Sequence, residues 1–543
     1  MLLHLFSTVL TLGGHAAALP LPNAADSIPA EAAREDILQL GDLLERVHPD
    51  PFAGFGGRVA YQRAFQGLLD GVPDGWVQIP DLRRRIAGFL GDMGDGHTGV
   101  QQLSSSADEV ERWYLPVRFA TAADGIIVSD ATPEYEELLG ARLETVEGGP
   151  VDELALDTRV FFPSENISGS RRQLAASLGG THLITAIAPD VEDSLHLTVT
   201  RPGAAAPEAV TLAYSLSPEE RTAGPWPMRD APRVSPASGP FDHRMLADGT
   251  VGYLRLRGMW SREAFESMRA AGRTDIDQWL ETAYDRFMDR ARPADQAEAI
   301  ESFPSLIDEL DALLHLMDDH GTRDLIVDLR ENGGGFSIIG EPLLYQLFGG
   351  AYLQTPDPVF FATRVSEELL AIQGRSLGEV SDAAGRQVRL GDYTYDPPDP
   401  TALEVETLEE FLNRHRANGF SRIGTLADVP SDPALNVVVI TDAATFSAAF
   451  DLAYQLHRMG GRMLGVPPSQ SPRAFTDSTP FVLAHSGLRG SMSRTAVVYP
   501  GIPSAGGAVV MDVPLTWSLW GEFDFHPEAP VHAALAELRG TGR

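Results

Sequence analysis

The chain has 543 residues, 43% of them hydrophobic, and a formal net charge of −34. Such length and apolar content exclude a disordered or fibrous chain and call for more than one structural unit. The acidic balance argues against nucleic acid or an anionic membrane as a partner. There is no cysteine, which excludes disulfides, thiolate metal sites and a cysteine nucleophile; there is no lysine either, so all 42 Lys-plus-Arg positions are arginine.

The N-terminus, MLLHLFSTVLTLGGHAAALPLP, carries an apolar run and an Ala16-Ala17-Ala18 site before prolines. This predicts a signal peptide over about 1–20 and a periplasmic or secreted protein; the alternative is a buried N-terminal helix. No later segment has the roughly 20 uninterrupted apolar residues of a membrane span, so no stable membrane insertion is expected.

Residues 30–104 read as a helical N-terminal region. AAREDILQLGDLLERVH and IPDLRRRIAGFLGDM repeat apolar residues at helical spacing, with the loop PDPFAGFGG between them. Residues 105–215 turn β-rich. WYLPVRFATAADGIIVSD predicts two strands joined by a turn, and DSLHLTVTRPG another. LLGARLETVEGGPVDELA reads as strand, tight turn and helix, and resembles a PDZ-type element. Residues 216–245, rich in Pro, Ser, Gly and charge, predict a linker.

From 246 to 543 strand and helix patterns alternate: VGYLRLRGM, SLIDELDALLHLMDDHG, DLIVDL, IIGEPLLYQLF, NVVVIT and SAAFDLAYQLHRMGG. Alternation of this kind predicts βαβ units and a largely parallel sheet, an α/β fold. Polar stretches near 261–303 and 364–432 read as insertions.

Two strand-to-helix junctions carry chemistry. LIVDLRENGGGF ends a buried strand at Leu329, and Gly333-Gly334-Gly335 then opens toward a helix. Glycines let backbone approach a ligand with its N–H groups turned inward. A phosphate cradle would need G-x-x-x-x-G-K-[ST], which is absent, leaving an anion-binding loop or a bare turn. TDAATFSAAFDL places Ser447 at the other junction, as a nucleophile or as a helix N-cap. It lacks the G-x-S-x-G of α/β-hydrolases. In a parallel sheet both loops lie at the carboxyl edge, where a serine beside a glycine loop supplies a nucleophile and oxyanion donors.

The third element is GDMGDGHTGV, with His97 between glycines and Asp92 and Asp95 close by. It suits a general base whose tautomer is fixed by a carboxylate, or it is an ordinary loop histidine. His485, in LAHSGL, is the second candidate base. His315 and His320 sit with aspartates at a helix end, a pattern that is usually solvated; no metal and no cofactor are expected.

LLERVHPDPF, DGHTGV, LLGARLETVEGGPVDEL, VGYLRLRGM, LIVDLRENGGG and VVVITDAATFSAAF, in this order from about 35 to 530, resemble the tail-specific (C-terminal-processing) serine peptidases and their tricorn-core relatives. The resemblance implies a Clp-protease/crotonase-like α/β catalytic domain, a helical N-terminal region and a small β-rich module. It implies a peptide or protein substrate and an acyl-enzyme on Ser447. One branch of that family activates its serine with a lysine about one strand-helix unit later. Here that stretch reads GVPPSQSPRAF, and arginine cannot serve as a base. The tricorn branch uses a histidine, which His97 matches, with backbone N–H groups of Gly334, Gly333 being the alternative, and of Ala448 at the oxyanion. The relay glutamate of that branch is matched best by Glu522, with Asp95 as the alternative partner of His97. Gly96 stands where the branch has a serine, and Phe450 where many relatives carry an acid. The alternatives are a non-catalytic binder of apolar ligands or peptides on the same fold, or an esterase.

Overall fold

The computed structural model describes residues 27–101, 112–160, 163–184, 187–188, 190–223, 239–397, 405–428 and 435–541. The leader expected at 1–20 lies outside the described residues.

The centre of the fold is a six-stranded sheet whose strands follow chain order: β1 (Phe241–Leu246), β2 (Val251–Leu256), β3 (Asp324–Asp328), β4 (Asn436–Thr441), β5 (Arg462–Gly465) and β6 (Val513–Pro514). The first pair is antiparallel and every later pair parallel. Strands such as LIV and VVVI are apolar without alternation because both faces are covered. Leu325, Val327, Val437 and Val439 pack into the core that includes the helix Ala448–Arg458. Ile326, Val438 and Ile440 face the opposite layer, formed with Leu538 of the C-terminal helix Ala529–Thr541.

A second sheet, antiparallel, is built from Phe360–Arg364, Tyr393–Asp396, Arg473–Val482 and Arg489–Val498. Gly99–Val100 joins it by pairing with Gly490 and Ser491. This short pairing matters for the site, because it fastens the residues just after His97 to the C-terminal half of the chain. The N-terminal helices Ala30–Val47, Arg58–Asp70 and Ile79–Gly91 share a core with Phe481 and Met492 of the same sheet and with Leu483 just after its strand Arg473–Val482.

The β-rich segment forms a sheet of its own, ordered Val117–Ala122, Gly125–Ala131, Arg142–Val146, Ser194–Thr200 and Glu208–Ala213, over a separate core. The linker expected at 216–245 is more ordered at its ends than its composition predicts. Pro218–Ala223 is helical and Phe241–Leu246 is strand β1, while 224–238 lie outside the described residues. The two polar stretches are not simple loops. The first contains helices Arg262–Ala270, Ile276–Phe287 and Gln296–Glu301, which bury Phe265, Tyr284 and Ile300. The second supplies helices at Glu367–Gln373, Leu377–Ala383 and Leu408–Ala417 and the edge strand Tyr393–Asp396. Their few apolar residues recur at helical spacing, which a composition-based reading passes over.

Candidate active site

β3 and β4 are adjacent and parallel, so the loops that follow them leave the same sheet edge. The two loops are tied together. The Leu329 N–H donates to the Ile440 carbonyl (2.8 Å) and the Phe446 N–H to the Asn332 carbonyl (3.1 Å). The Thr445 hydroxyl donates to the Leu329 carbonyl (2.9 Å) and the Glu331 N–H to the Asp442 carboxylate (3.1 Å). Asn332, fully buried, donates from Nδ2 to the Leu256 carbonyl (3.0 Å), which anchors the glycine loop to β2.

Ser447 occupies the N-cap position of the helix Ala448–Arg458, yet its hydroxyl caps nothing, and its backbone sits at φ 56°, ψ −126°. A β-carbon is crowded there, at a cost of about 1–3 kcal/mol. A capping serine adopts extended backbone and bonds the first turn. Ser447 does neither, so the capping alternative is removed. Its N–H donates to Gln470 Oε1 at 2.6 Å. Gln470 is buried and lies in GVPPSQSPRAF, the stretch singled out for lacking a lysine.

Gly334 lies against this turn with φ +101°. A β-carbon on it would come within 2.9 Å of the Phe446 carbonyl and Ser447 Cβ, and 3.1 Å of the Ala448 nitrogen. The Gly334 N–H is not free for an oxyanion, because it donates to Asn332 Oδ1 (3.0 Å). This corrects the expectation that Gly334 is a donor; its contribution is room. Among the described residues the N–H groups of Gly333 and Ala448 have no acceptor, which leaves these two as candidate donors.

His97 reaches the same place from the other half of the chain. Its ring lies over Phe446, the residue before Ser447, with centroids 4.5 Å apart and planes 28° from parallel. A β-carbon at Gly96 would meet the Phe446 ring at 2.7 Å, so a larger residue before His97 would separate the two. The His97 carbonyl accepts from the hydroxyls of Ser478 and Ser491, each at 3.3 Å. Both ring nitrogens are buried without a well-formed hydrogen bond; the Phe475 carbonyl faces the ring. Burial lowers the imidazole pKa, against the raising influence of Asp95 and Asp477. The ring is therefore neutral at neutral pH, the state a base requires.

The carboxylate facing the ring is neither of the two expected. Glu522 is exposed at the end of the helix Trp517–Glu522, and no bond links it to His97 among the described residues. Asp95 is buried, but its oxygens accept from the His97 backbone N–H (2.9 Å), the Thr98 hydroxyl (2.5 Å) and His48 Nε2 (3.1 Å). The ring nitrogen Nδ1 instead faces Glu165 Oε1 at 3.9 Å. Glu165 accepts from the N–H groups of Ser471 (2.7 Å) and Gly96 (3.4 Å). Burial, with Asp95 nearby, pushes its carboxyl well above the ordinary range despite those two bonds. Burial pushes Asp95 up too, but the bonds from His48 and Thr98 and the nearby His97 outweigh it and hold Asp95 at about 2. Nothing in PSENIS marks Glu165; only its neighbour Asn166 carries a signal, as the N-cap of the helix Ile167–Leu178.

Donor atoms of Asp95, His97 and Glu165 lie within 4.8 Å of one another, a spacing at which three such groups can hold a cation. The hydrogen bonds already made by Asp95 favour a proton relay over a metal centre. The other histidines lie elsewhere. His485 is exposed and pairs with Glu35 (2.7 Å) on the first helix, and His315 and His320 are exposed at their helix end. Phe450 is fully buried with its ring edge-on to Tyr499, so it belongs to the core.

No protein-family model matches the sequence, and no curated protein aligns with it significantly. Solved structures do. Mature CPAF superposes with a TM-score of 0.52 at 16% identity over 93% of this chain and 96% of its own. Mature CPAF complexed with lactacystin gives 0.54 at 14% identity over 93% and 98%. A photosystem II D1 C-terminal processing protease overlaps at 0.39 and 13% identity, over 90% and 94%. At these identities the CPAF structures establish a shared fold along nearly the whole chain. The mixed α/β fold of this chain is thus one that it shares with CPAF.

Proposed function

We propose that the chain is a serine peptidase of the tricorn-like Ser/His kind, with a Clp-protease/crotonase-like catalytic domain, a PDZ-like β-rich module and a peptide or unfolded protein as substrate. The leader-like N-terminus supports an exported, periplasmic or secreted enzyme. The observation that carries the reading is Ser447 in a strained turn at a sheet edge, hydroxyl uncommitted, with the neutral His97 ring stacked on the preceding residue.

In this reading Ser447 Oγ attacks the scissile carbonyl as His97 takes its proton, and the acyl-enzyme forms as His97 returns that proton to the leaving amine. A water, deprotonated by the same ring, then releases the acyl group. The N–H groups of Gly333 and Ala448 receive the oxyanion. Each such donor is worth about 100-fold or more in rate. Glu165 faces Nδ1 and fixes which nitrogen carries the resting proton, while the ionised Asp95 stabilises the imidazolium. Gln470 holds the strained Ser447 backbone.

The test is labelling by a fluorophosphonate, and by lactacystin given the CPAF complex, with mass spectrometry to locate the adduct, alongside hydrolysis of unfolded protein. Label on Ser447 that disappears in Ser447→Ala, with hydrolysis lost in both Ser447→Ala and His97→Ala, is expected. Hydrolysis that survives in a folded His97→Ala protein would show that the base is another group.

A further inference from the structure

The HPDPF segment is not accounted for by the chemistry above. His48 ends the helix Ala30–Val47, its N–H donating to the Leu44 carbonyl (3.1 Å), and its ring is fully buried. The Asp50 N–H donates to Nδ1 (3.1 Å), so Nδ1 carries no proton. The proton is therefore on Nε2, which lies 3.1 Å from Asp95 Oδ2 and donates to it. On one side the ring packs against Phe475 (centroids 4.5 Å), whose carbonyl faces the His97 ring. Asp95 in turn receives the His97 N–H and the Thr98 hydroxyl, and Thr98 Oγ1 accepts from the Ser493 N–H (2.9 Å).

We propose that His48 is a positioning residue for His97: its Nε2–H holds Asp95 against the His97 backbone and keeps that carboxylate from swinging to the His97 ring. The inference rests on the peptidase reading of the site. Glu165, from the Ser164–Asn166 segment, faces the His97 ring, and the charges acting on that ring are Asp95 from its own loop and Asp477 from the strand Arg473–Val482, with Arg494 beyond Asp477. Without His48, Asp95 Oδ2 loses a donor in a site closed to water. A ring nitrogen of His97 lies within 4.8 Å of the carboxylate, and once protonated it can take that place. The base would then be trapped as imidazolium, and misplaced by a fraction of an ångström.

The test compares His48→Phe, which keeps the ring volume against Phe475 but has no donor, with His48→Gln, which restores an N–H at similar reach. His48→Phe is expected to lower kcat about 10- to 100-fold with KM little changed, because small misplacements of a catalytic group have that effect. It should also move the acidic limb of the pH–rate profile to higher pH. His48→Gln should recover most of both. In the Ser447→Ala background, NMR titration of His97 should show the same upward shift in His48→Phe, a readout that needs no turnover. An unmoved His97 titration in a folded His48→Phe protein overturns the proposal. Equal impairment of both variants, tracking a loss of melting temperature, also overturns it. If the wild type hydrolyses nothing while His97 still shifts in His48→Phe, the positioning role stands and the peptidase reading falls.

Discussion

Replacing Gly334 by alanine tests how tightly the glycine loop sets the site. The added β-carbon would sit 2.9 Å from Ser447 Cβ and from the Phe446 carbonyl, and 3.1 Å from the Ala448 nitrogen. Favourable heavy-atom contacts lie at about 3.5–4.0 Å, so each is too short by roughly half an ångström or more. The residue would also hold φ +101°, a strain of about 1–3 kcal/mol for a residue with a side chain. Relief on the serine side is restricted, because the N–H groups of Phe446 and Ser447 are fixed to the Asn332 carbonyl and to Gln470. Ser447 must therefore shift by a large fraction of an ångström, and if it is the proposed nucleophile such a shift lowers kcat/KM about 100-fold. The assay is peptide hydrolysis and the rate of fluorophosphonate labelling, with urea unfolding to show that the variant is folded. Gly340→Ala is the control, since a β-carbon there meets nothing closer than 3.7 Å. Full activity in Gly334→Ala would refute the argument that close approach of this loop places Ser447.

Glu165→Gln should raise stability at pH 7 while lowering kcat. The folded-state pKa lies above the ordinary value of 4.5. Above that value the unfolded chain gives up its proton more readily than the fold, so the stability gain seen by thermal melting should shrink as pH falls and vanish below 4.5. Asp95 works the other way, because its folded pKa of about 2 lies below the ordinary 3.8. Its stabilisation is full above the ordinary value and is lost as pH falls from about 4 toward 2; acid unfolding followed by circular dichroism should be less steep there in Asp95→Asn. The lowered His97 pKa predicts that hydrolysis persists below pH 6.5 and fails only when acidification reaches the depressed value; a limb at or above 6.5 would contradict the burial argument. Phe450→Ala should cost about 3–5 kcal/mol of stability, as for a buried aromatic, measured by urea unfolding.

Local pattern alone was enough for a good part of this molecule. Period-2 and continuous apolar runs identified the hairpin at 117–131 and the strands β2, β3 and β4, and helical spacing identified the helices Ala30–Val47, Leu306–Asp319 and Ala448–Arg458. The absence of lysine removed one way of activating a serine, and glycines at 333–335 marked a loop where backbone must approach closely. These are readable because burial periodicity and backbone freedom are properties of neighbouring residues. The partner of His97 is not such a property. Glu165 lies 68 positions from His97 and 282 from Ser447, and its surroundings carry no motif; only folding brings it to the ring. The same holds for Gln470 beneath Ser447 and His48 behind Asp95. Which carboxylate is buried, which N–H is already taken and which serine is strained are set by the environment that distant segments create together. The sequence named the serine and the histidine; the tertiary structure decided what surrounds them.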